Sequence, residues 1–434
     1  MYIAAPPGTK VLARYLIPPE EYKLLEEVDF NVYGEEKSLT ILQFMRDLKW
    51  IYISYDEGDK ISLKPTETGI DVFENGLTEK YIGENGKILN LIKKYLENYL
   101  KNEKGLPDET MVLADYFLKS GNYTRALDMA ANLIDLGNKQ ADSRILGKAH
   151  YIYGTINLYK MDLDFAKNHY EKATYYSENV DDIENVAKTY LGLGSFYGYK
   201  GDMEKGLQYF EKASLLFREK NDLSGMNQVK INEAFTLAKM GNIKEFFTLN
   251  HQAIEYFISI SDNYHLQSCY QNESAVLLSL GEYNAAIDAV VEAHDLAKKT
   301  GNERIQHLSG INIALIYIYT KRPGDAYDYI EKAFDYFRRN FDTNGLADCY
   351  LTYMAYDVAT KNLDSADKNM EKMKQNFMVK KQKVSFIEGL SVYIRLIKLY
   401  DYPATVLNDK TKKFREYARS FELIEKFDSL LEDN

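Results

Sequence analysis

The sequence predicts a mainly α chain, a superhelical solenoid of seven stacked helix pairs preceded by a small α+β domain. Three observations predict it. Small residues recur every 40 positions through most of the 434 residues, without insertion. Proline is scarce, at 8, which favours long uninterrupted helices. The stretch 1–82 lacks the period and carries strand-like and turn-like segments instead.

The register is set by Ala126, Ala166, Gly206, Phe246, Ala286, Ala326 and Ala366. Seven residues later stand Leu133, Ala173, Ala213, Ala253, Ala293, Ala333 and Met373. Twelve residues before the anchors stand Ala114, Gly154, Gly194, Ala234, Ser274, Ala314 and Met354. Mostly small side chains at these places let two helices approach closely. Five residues before each anchor the chain has Gly121, Met161, Gly201, Gly241, Gly281, Lys321 and Lys361. Glycine in four of the seven suits a helix end that turns through positive φ. Asp142, Asp182, Asp222, Asp262, Asn302 and Asp342 recur at the same interval, and their side chains suit helix N-caps. Each unit therefore reads as helix, turn, helix, capped turn.

These residues resemble the tetratricopeptide repeat family, over about 106–377. The small residue at repeat position 8, frequent Gly at 15 and Ala at 20 and 27 carry the resemblance. The usual unit is about 34 residues; this one, at 40, is similar to the longer-helix variant of kinesin light chains, spindle-orientation adaptors and bacterial peptide-responsive regulators. The resemblance implies a binding groove lined by first helices, for a protein or peptide, with no cofactor. Residues 378–434 read as capping helices: "VSFIEGLSVYIRLIKLY" as an eighth first helix, and "DKTKKFREYARSFELIEKFDSLL" as one closing amphipathic helix.

In 1–82, "SLTILQFMRDL" reads as a helix capped by Ser38. "WIYISY" and "KISLK" read as a hairpin with Gly58 in its turn, and "TETGIDVFENG" as a short helix capped by Thr66. This order resembles a winged-helix domain, with "PEEYKLLEEV" as the preceding helix and 83–105 as a connecting helix. Such a domain suggests DNA, but 1–82 holds nine basic and fifteen acidic residues, a balance of 9 − 15 = −6. Phosphate neutralisation dominates DNA affinity, so DNA is disfavoured and a protein contact is expected. A transcription regulator, with a winged-helix head and a ligand-sensing repeat domain, is the alternative.

The whole chain has net charge −11, which disfavours broad binding to nucleic acid or anionic membrane. No apolar run approaches the roughly 20 residues of a membrane span, and 1–7 has no signal-peptide pattern. With only Cys269 and Cys349, a cytoplasmic protein is expected, and a homo-oligomer is compatible with the sequence. The two cysteines sit two repeats apart, beyond disulfide reach, and read as buried apolar residues.

No catalytic or metal motif emerges, so the chain is not expected to be an enzyme. The six histidines, His150, His169, His251, His265, His294 and His307, show no H-x-x-x-H or H-E-x-x-H spacing. The groove positions are more informative. Asn232, Asn272 and Asn312 occupy position 6 of three successive repeats, and an amide both donates to and accepts from a peptide backbone. Phe235 is an apolar neighbour, and Tyr319 lies further on. Lys148, Lys188, Tyr151, Tyr159 and Tyr199 line the earlier half, and the lysines hint at an acidic ligand. The chaperone-tail clamp, with Lys at position 5 and Asn at position 9, is missing: Met111 and Asp115, or Tyr151 and Thr155, stand there.

Overall fold

The computed structural model describes residues 2–4, 51–56, 60–65, 107–340, 342–379 and 383–432. It forms two units, Met1–Phe117 with Thr124–Leu133, and Leu118–Tyr123 with Ile134–Asn434. The first contains a three-stranded sheet of β1 (Tyr2–Ala4), β2 (Ile51–Asp56) and β3 (Lys60–Pro65). Strand β3 is central and antiparallel to both neighbours, with Asp56 opposite Lys60 closing the expected hairpin. The pairing of β1 was not legible in the sequence. The helices expected around Ser38 and Thr66, the "PEEYKLLEEV" helix, the Gly58 turn and the connecting segment 83–105 lie outside the described residues.

Helices α1 (Pro107–Lys119) and α2 (Tyr123–Gln140) contribute to both units. The second unit continues as helix pairs: α3 (Ser143–Tyr159) with α4 (Leu163–Glu178), α5 (Ile183–Lys200) with α6 (Met203–Glu219), and α7 (Leu223–Lys239) with α8 (Ile243–Ser259). Next come α9 (Asn263–Ser279) with α10 (Tyr283–Thr300), α11 (Glu303–Tyr319) with α12 (Tyr327–Arg339), and α13 (Thr343–Ala359) with α14 (Leu363–Val379). From α3 onward each pair also packs on the next, and the buried apolar residues form successive local clusters along the array.

The register residues make that packing possible. The anchor alanines and Phe246 are fully buried. A Cβ at Gly194 would lie 2.3 Å from Phe210 Cε1, so only glycine lets α5 and α6 meet there. All seven turns between paired helices take positive φ, at Met161, Lys321 and Lys361 as well as at the four glycines. The six expected caps accept backbone N–H groups from the next turn, as Asp182 does from Asn185 N and Asp222 from Gly225 N.

Two expectations need correction. The second helix of repeat six starts late, at Tyr327, because Pro323–Asp325 forms a 3-10 turn first. The closing segment is two helices, α16 (Ala404–Ser420) and α17 (Ile424–Glu432), after α15 (Lys383–Leu399). Glu422 breaks it at φ 62°, and α17 folds back to pack on α15. Phe414 and Phe427 are buried in the resulting core. Tyr400 and Tyr402 hydroxyls donate to the Ile318 and Val358 carbonyls, tying this end to repeats six and seven.

Candidate functional site

The first helices carry the sequence-predicted groove residues. Asn232, Asn272 and Asn312 sit half-buried at one register on α7, α9 and α11. Asn232 Nδ2 donates to Gln228 O at 3.1 Å, within its own helix. Among the described residues, the side-chain amides of Asn272 and Asn312 make no hydrogen bond. Phe235 and Tyr199 flank Lys239, whose Nζ stands 4.9 Å and 5.4 Å from their ring centroids. Burial, opposed by Glu388 and reinforced by Lys426, holds the Lys239 ammonium below its usual range. Tyr319 stacks on Tyr283 at 5.4 Å, and burial raises its phenol, against the pull of Arg395.

The two lysines of the earlier half are engaged. Lys188 Nζ lies 2.5 Å from Glu184, and Lys148 Nζ lies 5.6 Å from the Tyr151 ring centroid. Tyr151 packs beside buried Tyr170.

Tyr159 belongs to a cluster that sequence spacing did not reveal. Its ring stacks on Tyr123 at 5.5 Å, with the Arg304 guanidinium carbon 5.3 Å from its centroid. Arg304 Nε donates to Asp342 Oδ2 at 3.1 Å, with side chains only 10% and 5% exposed. Asp342 Oδ1 meanwhile caps α13 through Gly345 N at 2.9 Å, so one carboxylate serves both tasks. Residues from the second and sixth repeats thus meet, and the second unit curls around them. Burial pushes the Tyr159 phenol up to about 12, with Tyr151 adding to it and Arg304 opposing.

On α13, half-buried Asp348 is pushed up to about 7, first by burial and then by Asp342, against Arg304. The charges of Arg304, Asp348 and Asp342 also act on Tyr199, which remains 45% exposed. Asp348 stands at the repeat position of Lys148 and Lys188, so that register could have found it. Arg304 precedes the groove positions of its helix and carried no such signal.

The histidines hold one surprise. His150 and His169, 19 residues apart, face each other with Nδ1 atoms 3.0 Å apart, stacked on Tyr176 and Tyr153 respectively. Burial, His169 and Lys172 lower His150 to about 4, and burial and Lys172 lower His169 as well. Among the described residues, no three His, Cys, Asp or Glu side chains gather as metal ligands, and no helix is long and apolar enough to cross a membrane. Both cysteines are buried and unpaired.

Helix pairs at a fixed 40-residue spacing, with the same capped first helices and positive-φ turns, invite comparison with solved structures. A Rap protein complexed with Competence and Sporulation Factor superposes with a TM-score of 0.56 at 14% identity, covering 83% of this chain and 98% of its own. The fold is that of a tetratricopeptide-like helical repeat. A signal-transduction ATPase with numerous domains and a tetratricopeptide repeat sensor, from Pyrococcus horikoshii, matches at TM-score 0.45 and 18% identity, over 93% of this chain and 67% of that one. No protein-family model matches the sequence, and no curated protein does. The tetratricopeptide-like register explains why Asn232, Asn272 and Asn312 share one orientation, since each repeat presents the same helix face.

Proposed function

We propose that the chain is a non-catalytic scaffold that binds a protein or peptide segment along its first-helix face. The observation that carries this reading is the asparagine register, with the Asn272 and Asn312 amides unbonded among the described residues. Helix layers about 10 Å apart match three residues of extended chain at roughly 3.3 Å each. Successive amides therefore meet successive backbone groups of one bound segment, while Phe235, Tyr199 and Tyr319 offer apolar walls to its side chains. The Rap protein of similar fold was solved with Competence and Sporulation Factor bound, which supports a ligand-carrying role for such an array. An acidic partner has less support, because Lys188 pairs with Glu184 and Lys148 lies over Tyr151. In this reading the winged-helix-like head contacts protein, consistent with its −6 balance.

Panning a random peptide-display library against the immobilised full chain tests the proposal. Enrichment of short related sequences that bind saturably is expected. No enrichment, together with submicromolar, salt-sensitive binding of duplex DNA in a gel shift, would turn the reading toward a transcription regulator.

A further inference from the structure

Two cation–π contacts in the second unit share one sequence offset. Lys119 Nζ stands 5.7 Å from the Tyr264 ring centroid, and the Arg304 guanidinium carbon 5.3 Å from that of Tyr159. The separations are 264 − 119 = 145 and 304 − 159 = 145 residues. Lys119 and Tyr159 are the last residues of α1 and α3, while Tyr264 and Arg304 are the second residues of α9 and α11. The end of one first helix therefore meets the start of the first helix four repeats on. The same seam brings main chain close: a Cβ at Gly121 would lie 3.3 Å from both Arg304 Cβ and Asn302 Oδ1. Asn302 and Arg304 are 5% and 8% exposed, and Arg304 is held by Asp342 at 3.1 Å. Carried on, the offset pairs Tyr199 with Asn344 and Lys239 with Val384. Neither pair can set a cation against a ring, and Tyr199 and Val384 are 45% and 42% exposed. The seam thus carries such a contact at its first two steps and not at the next two.

A solenoid whose repeats touch only their neighbours has its winding set by a small rotation at each step, so it flexes along its length. A contact four repeats away fixes that winding directly. It is small beside the packing that each pair shares with the next, so it can part while the pairs stay folded. We propose that Lys119–Tyr264 and Tyr159–Arg304 form a clasp that holds the second unit wound upon itself, and that a segment reaches the groove when the clasp parts. The clasp rests on the peptide-binding reading above and adds a control on entry to the same site. The coupling is short: α9 and α11, which begin at the clasp, carry Asn272 and Asn312. Parting the seam therefore moves the two helices whose amides are unbonded among the described residues.

The test uses the full chain with Lys119→Met and Tyr159→Leu, which remove one member of each contact and leave the Arg304–Asp342 ion pair in place. Asn272→Cys, added to this chain and to the parent, supplies a thiol in the groove, and native Cys269 and Cys349 are buried. N-ethylmaleimide and a maleimide on a long poly(ethylene glycol) chain probe that thiol. The polymer should label the unclasped chain about fivefold faster than the parent, since labelling of a sheltered thiol tracks the open fraction, while the small reagent changes little. Val384→Ala, at a step without a cation–π contact, should match the parent. Equal polymer rates in the unclasped and parent chains, or an equal rise for both reagents, overturn the clasp while the groove reading stands. A covalent lock gives the opposite arm. Gly121→Cys with Arg304→Cys sets two Cβ atoms near the roughly 3.5–4.5 Å span of a disulfide. Met161, Lys321 and Lys361 show that the same positive-φ turn accepts a side chain. One library-selected peptide should associate about tenfold slower with the oxidised form than with the reduced form, and equal rates overturn the clasp. Panning that yields no peptide overturns the groove reading, and the polymer arm then still decides the clasp.

Discussion

The packing faces of the repeats and their inner face are built by opposite rules. On the packing faces, position after position repeats the same small or apolar side chain, and every anchor is fully buried. On the inner face one register position runs Lys148, Lys188, Gln228, Ser268, Leu308, Asp348, with no common chemistry. Helix-to-helix contact tolerates few volumes, because interiors are close-packed. A surface that meets a ligand is free to change from repeat to repeat. The inner face even carries a local cost, the Asp348 carboxyl, whose ionisation is disfavoured by burial and by Asp342, which packing alone does not require.

The comparison breaks first if the packing face proves tolerant. Phe210 is 1% exposed, sits against Gly194 and shares a core with Ala213, Phe217 and Val229. Phe210→Ala should lower stability by roughly 3–5 kcal/mol, read by urea unfolding. Next comes a charged pair buried like the core. Arg304→Gln leaves Asp342 buried without its cation, and should cost about 3 kcal/mol in the same assay. A loss below about 0.5 kcal/mol would reduce the ion pair to an ordinary surface contact.

A smaller effect, of opposite sign, sharpens the distinction. An unfolded Asp ionises near pH 3.9, whereas folded Asp348 ionises at about 7. Between those values the folded chain holds the extra proton, so this group's contribution to stability falls as pH rises, and levels off above 7. Asp348→Asn removes the penalty. At pH 8 the variant should be more stable than the parent by roughly 1–2 kcal/mol after solvent screening, and the advantage should shrink toward pH 4.5. A pH-independent difference would show that Asp348 carries no such penalty.

These faces also differ in what could be read from the chain. Asp142, Asp182, Asp222, Asp262, Asn302 and Asp342 were legible as caps, because a cap acts on N–H groups two or three residues away. The turns were legible at glycine, and Met161, Lys321 and Lys361 follow because the same helix pairs must close there. The break at Glu422 was not, since the apolar stripe of Phe414, Tyr417, Phe421, Ile424 and Phe427 runs through it undisturbed. Nor was the Arg304, Asp342 and Tyr159 cluster. Arg304 and Tyr159 lie 304 − 159 = 145 residues apart, and their meeting depends on how several repeats curl together. The asparagine register sits between these cases: its spacing was visible, while the amides of Asn272 and Asn312, unbonded among the described residues, and the internally bonded amide of Asn232 needed coordinates.

The central claim is that the inner face holds an extended segment through that register. Its most direct measurement is a titration of one library-selected peptide against the full chain and its Asn232→Ala, Asn272→Ala, Asn312→Ala triple variant. One ordinary hydrogen bond lost at each site, at roughly 0.5–1.5 kcal/mol apiece, predicts affinity weaker by about tenfold or more with the melting temperature nearly unchanged. Binding within twofold of the parent would contradict the account.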